Sequence, residues 1–265
     1  MDLSSIIGLV LGFSALIGGY MLEGGSLSAL VHNASPFIII FGGTIGAVLL
    51  NFPLSDLSNI PNLLKIVFTQ KNYNEVDIIN QMADLSEKAR KDGLLSLEQD
   101  AQTIDNDFIK KGLSLVVDGI ETEVIKDILE REAYLHENTY ETGAKIFEAA
   151  GGYSPTMGVA GTVLGMISIL ADMSNPEELG PKISTAFIAT LLGVGFANLA
   201  YLPMAGKIKA KAAREKMISD LIIEGLLSIQ AGENPRIIKE KLNLALLEKM
   251  SGKKNSNQSA KEVEG

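Results

Sequence analysis

The stretch AAGGYSPTMGVAGTVLGMISILA, residues 149–171, runs for twenty-three positions without an Asp, Glu, Lys, Arg or His, and its reading decides the fold class. At 1.5 Å of rise per residue, about 20 helical residues cross the roughly 30 Å hydrocarbon core of a bilayer. A charge held at mid-depth costs several kcal/mol. Leu3–Leu22, Ala34–Phe52 and Ile183–Gly206, of 20, 19 and 24 residues, likewise contain no Asp, Glu, Lys, Arg or His. The chain reads as an all-α, polytopic membrane protein with four transmembrane helices and a helical cytoplasmic domain. Any ion that crosses beside these spans must use a titratable group from another chain, or none.

Composition agrees, because the 265 residues are 46% hydrophobic yet 21% charged, so apolar and charged residues are segregated along the chain. The net charge of −9 argues against nucleic acid as a partner, which would call for a basic face. With no cysteine, disulfides and thiolate metal sites are excluded. Leu3–Leu22 lacks the basic leader and the small-x-small site of a cleaved signal, and its glycines suit a packed span.

Lys and Arg number none in residues 1–52, ten in 53–148, one at Lys182 and twelve after Gly206. Positive residues stay in the cytoplasm. Both termini, the long loop and the tail are therefore expected inside, and the turns Glu23–Asn33 and Asp172–Pro181 outside. This divides the chain into a transmembrane hairpin (1–52), a helical cytoplasmic domain (53–148), a second hairpin (149–206) and a basic juxtamembrane and helical tail (207–265), disordered from about residue 253.

After Pro53, Ile60, Leu63, Leu64, Val67 and Phe68 form the apolar stripe of an amphipathic helix. It lies along the inner membrane surface or packs on the cytoplasmic domain. Tyr73–Lys91 and Leu94–Val117 read as further helices broken near Asp92-Gly93. From Glu121, spaced apolar residues indicate one long helix leading toward the third span. Lys207, Lys209, Lys211, Arg214 and Lys216 follow the fourth span, where they are expected to meet anionic headgroups. Helices then run to about Gln230 and from Pro235 to Met250, with a break at 231–234.

Spans three and four carry rows of small and hydroxyl residues: Gly158, Thr162 and Gly165 share one face, and Thr190, Gly193 and Ala197 another, with Asn198 expected to be buried nearby. Such rows pack helices, or they line a path on which the hydroxyls of Thr162 and Thr190 help to replace an ion's water. Pro155 and Pro203 each remove a backbone hydrogen bond and mark a hinge, or a helix start and kink. His32 and His136 share no metal-ligand spacing, and Glu177 and Glu178 read as a solvated outer pair. No phosphate loop, nucleophile elbow or dinucleotide fingerprint is present, so nothing points to an enzyme.

The segment Ala89-Arg90-Lys91-Asp92-Gly93-Leu94-Leu95-Ser96-Leu97-Glu98 resembles the A subunit of the bacterial flagellar motor stator, the MotA/PomA family. The likeness extends through Val116-Val117-Asp118-Gly119, Tyr153–Gly158 with Gly161–Gly165, Ala189–Gly193, Asn198–Pro203, Glu224–Gln230 and Asn234-Pro235-Arg236. The resemblance implies a pentameric ring around two copies of a single-span MotB/PomB-type B subunit whose transmembrane Asp carries the ion. It further implies that H+ or Na+ flow drives rotation and torque on the rotor protein FliG, with membrane lipids around the ring and no other cofactor.

Residue by residue, it gives a rotor interface at Arg90 and Glu98, with Glu87 and Lys91, an ion path at Thr162 and Thr190, and gating prolines at Pro155 and Pro203. The two hydroxyls tilt the expectation toward sodium. An ExbB/TolQ-type energiser and a non-conducting scaffold are the competing readings. The first has three spans and lacks the Arg90–Glu98 segment.

Overall fold

The computed structural model describes residues 2–28, 34–69, 74–171 and 176–248, the side chains of 176–178 excepted. His32, Tyr73, the Glu177 and Glu178 side chains, and the tail from 249 onward lie outside the described residues. Those residues form α-helices with short 3-10 and π turns, and no strand occurs among them.

Helix α1 (Leu3–Leu22) is capped by Asp2, whose carboxylate accepts the Ser5 amide, and α2 spans Ala34–Asn51. Within α2 the turn Ile38–Gly42 is π-helical. Phe52 and Pro53 are extended and end the helix, one residue before the boundary expected from the sequence. Short α3 (Leu54–Leu57) and α4 (Ile60–Phe68) follow.

Helix α5 is Glu75–Asp92, closed by Gly93 at φ +83°, a region that side-chain-bearing residues avoid. A 3-10 turn (Leu94–Leu97), α6 (Glu98–Thr103) and α7 (Asp107–Val117) come next. Helix α8 is one 50-residue helix, Thr122–Ala171. Helix α9 is contiguous through Pro176–Phe196, the π turn Ala197–Tyr201 and Leu202–Gln230, and α10 covers 235–248. Thus neither residue 149 nor residue 206 is a helix end. The spans are stretches of longer helices.

Four of these helices are long and apolar enough to cross a membrane: α1, α2, α8 and α9. The chain divides into two compact units, one containing residues up to 69 and 139–210, the other 74–138 and 211–248.

The first unit contains all four uncharged runs. On its α4, Leu63 and Val67 of the amphipathic stripe are buried, with Leu63 against Gly143 of α8. The Asp2 amide donates to Phe68 O at 2.8 Å and the Ser5 hydroxyl to Val67 O at 3.2 Å. The helix therefore packs on the span-bearing unit.

The second unit has a conventional core of Met82, Leu97, Leu113, Leu129, Leu221, Leu226 and their neighbours. Gly112 lets Leu226 and Leu129 approach, and Gly225 makes room for Met82. Gln230 donates to Ile120 O at 2.6 Å and the Ser86 hydroxyl to Glu233 O at 3.0 Å, tying down the two chain turns at Gly119 and Gly232.

Candidate functional site

Spans three and four meet through their backbones. A Cβ on Gly158 would lie 2.9 Å from Ala189 O, and one on Gly193 would lie 2.6 Å from Ser154 O and 3.0 Å from Gly158 Cα. Gly161 and Gly165 face Ala189 and Ala186 in the same close manner. In lipid no hydrophobic drive brings helices together, so glycine faces gain contact by letting main chains approach. The fully buried Ser154 hydroxyl donates to Gly193 O at 2.9 Å and adds a directional bond.

This crossing brings Thr162 and Thr190 together, their hydroxyl oxygens 2.5 Å apart. Thr162 Oγ1 lies 2.9 Å from Ala186 O and 3.1 Å from Gly158 O, and Thr190 Oγ1 lies 3.4 Å from Gly158 O. Each hydroxyl has one proton to donate and two lone pairs to accept with. If Thr190 donates to Thr162 and Thr162 to Ala186 O, both protons are used within the helix pair. Lone pairs then remain, two on Thr190 and one on Thr162, at side chains that are only partly buried. Packing and ion contact are thus compatible in one pair of residues. The protons hold the helices, and the lone pairs can face a cation.

Pro155 lies inside continuous α8, so it is neither a helix start nor a break. Its missing N–H deprives Gly151 O of its usual donor. Gly151 abuts Leu202, the residue before Pro203, at a spacing where an added Cβ would meet Leu202 Cδ2 at 2.6 Å. Tyr153 and Tyr201 pack together around Val48, Ile146 and Ala150. The neighbourhoods of the two prolines are therefore one place. Just before Pro203 the backbone widens into the Ala197–Tyr201 π turn, with the Leu202 amide bonded to Ala197 O. A proline cannot supply the ordinary donor to Leu199 O, and the wider turn accommodates that loss.

In the other unit, Arg90 near the end of α5 and Glu98 at the start of α6 flank the Gly93 turn; both are exposed. Neither has an ion-pair partner among the described residues. Glu87 and Lys91, one turn apart on α5, pair at 2.5 Å. The ammonium holds the Glu87 carboxyl below its ordinary range, and the carboxylate raises Lys91. Lys88 and Asp100 at 2.7 Å brace α5 against α6, and the Ser96 hydroxyl bonds Gly93 O at 2.7 Å.

One expectation is corrected and another refined. Asn198 is exposed and its amide donates to Val194 O in its own helix. Eight residues beyond Thr190 it falls about 80° away from that row at 3.6 residues per turn. The basic row after span four is not a set of lone cations: Lys207 pairs with Asp2, Lys209 with Glu148, Arg214 with Glu75 and Lys216 with Glu137, and the last three basic side chains stay about half exposed.

Three features escaped the sequence reading. Thr44 is buried in α2 with its hydroxyl unpartnered, Ser154 clamps the crossing, and both π turns are invisible to apolar periodicity. The Gly43-Thr44 pair was the available signal for the first, since small and hydroxyl neighbours mark packed faces. No group of three or more metal-ligating side chains occurs among the described residues.

Comparison with known proteins places this geometry. The family model described as the MotA/TolQ/ExbB proton channel family matches residues 100–221, and that for the motility protein A N-terminal region matches 6–93. Motility protein A of Bacillus subtilis is 40% identical over 93% of this chain and 91% of its own length. In the flagellar MotAB stator complex of Bacillus subtilis, the matched chain is 40% identical with TM-score 0.85, covering 91% of this chain and 95% of that one. A chain of C. jejuni MotAB gives TM-score 0.86 at 31% identity, covering 92% and 96%. A four-span layout, a glycine-paired third and fourth span, and relatives this similar across nearly the whole length lead to one assignment: the chain belongs to the motility protein A family.

Proposed function

We propose that this chain is the A subunit of a flagellar motor stator in the bacterial inner membrane, with both termini cytoplasmic. It houses an ion path completed by a single-span B subunit that brings the titratable carboxylate. One observation carries this reading. The four apolar runs hold no Asp, Glu, Lys, Arg or His, while Thr162 and Thr190 keep acceptor lone pairs on a partly buried face. A neutral wall that can solvate a cation but cannot bind a proton needs a partner's acid.

Ion flow turns a pentameric ring of A subunits about two B subunits, and Arg90, Glu98, Glu87 and Lys91 engage the rotor protein FliG. Exposed ion pairs worth roughly 0–1 kcal/mol release easily and steer collectively. Pro155 and Pro203, sharing one neighbourhood, form the flexible end of the path.

The match of residues 6–93 to the motility protein A N-terminal model favours the motor over the ExbB/TolQ energiser. For the cation two observations pull apart. The matching family is described by its proton channels, whereas paired threonine lone pairs suit a partly dehydrated sodium ion.

The test is co-expression with the adjacent single-span partner, followed by ion leak in vesicles. Flux only when both chains are present supports the reading; no flux in either case leaves a scaffold. Swimming that persists as external sodium is removed at constant pH assigns the proton.

A further inference from the structure

The start of α1, the end of α4 and the turn of α9 after Pro203 converge on one buried carboxylate. Asp2 is 6% exposed. Its Oδ2 receives Lys207 Nζ at 2.8 Å, and its Oδ1 receives the Ser4 hydroxyl at 2.7 Å and the Ser5 amide at 3.4 Å. The Asp2 amide holds Phe68 O at 2.8 Å, and Lys207 Nζ also reaches Ser4 Oγ at 3.1 Å. Lys207 follows Pro203 by one helical turn. A groove of about 350 Å³, lined by Ser4, Leu9, Asn198, Pro203 and Lys207 among others, separates the helices beside this pair.

The segment that Lys207 anchors is the least regular part of α9, with the π turn at Ala197–Tyr201 and the proline two residues beyond it. Backbone bonding is weakest there, so the direction of the following helix is set by what grips it from outside. Just before the π turn α1 touches α9 through Phe13 against Phe196, rings 5.2 Å apart, and within the turn through Gly12 against Leu199. Below it, the Asp2–Lys207 pair ties α9 to α1, while Lys209 with Glu148 and Leu202 against Gly151 tie it to α8. An aspartate so enclosed, paired and capping a helix is an expensive arrangement that a solvated lysine would not require.

We propose that Asp2 and Lys207 are positioning residues for ion conduction: their ion pair fixes the Pro203 end of span four against α1, so that the proposed gate opens and closes in register with the rest of the ring. The inference rests on the stator reading above. It adds a pair that touches neither the ion nor the rotor.

Asp2→Asn isolates the pair, because an amide oxygen still caps α1 and still accepts from Ser4. Lys207→Met removes the other partner, and Lys207→Arg restores a cation. Each variant is purified as the complex with the B subunit, and ion flux per complex in vesicles is read beside the thermal midpoint.

Asp2→Asn is expected to lower flux at least about threefold with an unshifted midpoint, as couplings through packed elements allow. Lys207→Met lowers flux as far and also lowers the midpoint, because it strands the buried Asp2 carboxylate, and adding Asp2→Asn to it restores the midpoint but not the flux. The double variant is no worse than either single, since one interaction is broken once. Lys207→Arg recovers most of the flux. Full flux in Asp2→Asn, additive losses in the double variant, or losses that follow the melting midpoint would each overturn the proposal. Absence of flux in the unaltered complex would instead sink the stator reading.

Discussion

Leucine lies on opposite sides of the two units. In the unit of residues 74–138 and 211–248, Leu113, Leu129, Leu221, Leu226 and Leu242 are 0% exposed, whereas on α1 Leu3, Leu11 and Leu22 are 68%, 67% and 91% exposed. Helix α1 has no buried residue at all. Water explains the first pattern, since apolar area removed from it is worth about 25 cal/mol per Å². Lipid explains the second, where that drive vanishes and glycine contact with hydroxyl-to-carbonyl bonds takes over. One sequence therefore uses two packing rules, and substitutions of the same kind should behave differently in the two places.

The largest contrast is between two glycines. A methyl on Gly193 would meet Ser154 O at 2.6 Å and Gly158 Cα at 3.0 Å, both backbone atoms that cannot step aside. A methyl on Gly225 would meet Met82 Cγ at 2.7 Å, part of a flexible side chain. Gly193→Ala should abolish recovery of the assembled protein by size-exclusion chromatography, while Gly225→Ala should assemble with a lowered midpoint. Equal recovery of both would show that spans three and four do not rely on backbone approach.

Next in size is the leucine contrast itself. Leu129→Ala should cost about 2–5 kcal/mol of unfolding free energy, as core truncations do. Leu11→Ala, on the open face of α1, should stay within about 0.5 kcal/mol for the isolated chain in detergent. A comparable loss at Leu11 would mean that the exposed face is covered by another copy or partner under those conditions.

The sequence made legible what depends on side-chain chemistry averaged over many residues. Four uncharged runs and the α-periodic stripe at Ile60–Phe68 announced the spans and α4 because both patterns repeat every turn. The Thr162 and Thr190 rows were also legible, since each needs only its own helix's periodicity. The partnership of Asp2 with Lys207 was not, because it joins residues 205 positions apart and its acid precedes the first apolar run. Asn198 misled for the opposite reason: an amide inside an apolar run reads as buried, yet Val194 O satisfies it from within the same helix and leaves it free to face outward. The π turns left no periodic trace, as each adds one residue to one turn.

The exposed charges should separate stability from action. Arg90 and Glu98 stand in solvent on either side of the Gly93 turn, so Arg90→Glu combined with Glu98→Arg should leave the melting midpoint unchanged. Swimming speed should fall several-fold while ion flux in vesicles stays intact, because only the outward contact is altered. Pro203→Ala should do the converse, restoring a backbone bond within α9 and lowering both flux and speed with assembly preserved. Full motility in either variant would detach that residue from the role proposed for it.

The smallest expected effect is electrostatic, and it belongs to the unit of residues 74–138 and 211–248. Arg214 pairs with Glu75 at 2.8 Å and holds its carboxyl below the ordinary value of 4.5. A carboxyl lowered by folding stabilises the folded state above its unfolded value, and that contribution disappears as pH falls through the folded one. Replacing Arg214 with Gln should therefore lower stability by roughly 0.2–1 kcal/mol at pH 7, the scale of an exposed pair. The gap from the unaltered protein should begin to close as pH falls through 4.5 and vanish below the lowered folded value of Glu75, where the carboxyl is protonated in both. Thermal midpoints across pH 3–7 measure it. A gap that widened on acidification would mean that Arg214 stabilises the fold through its aliphatic stem rather than its charge, the leucine rule extending to an arginine.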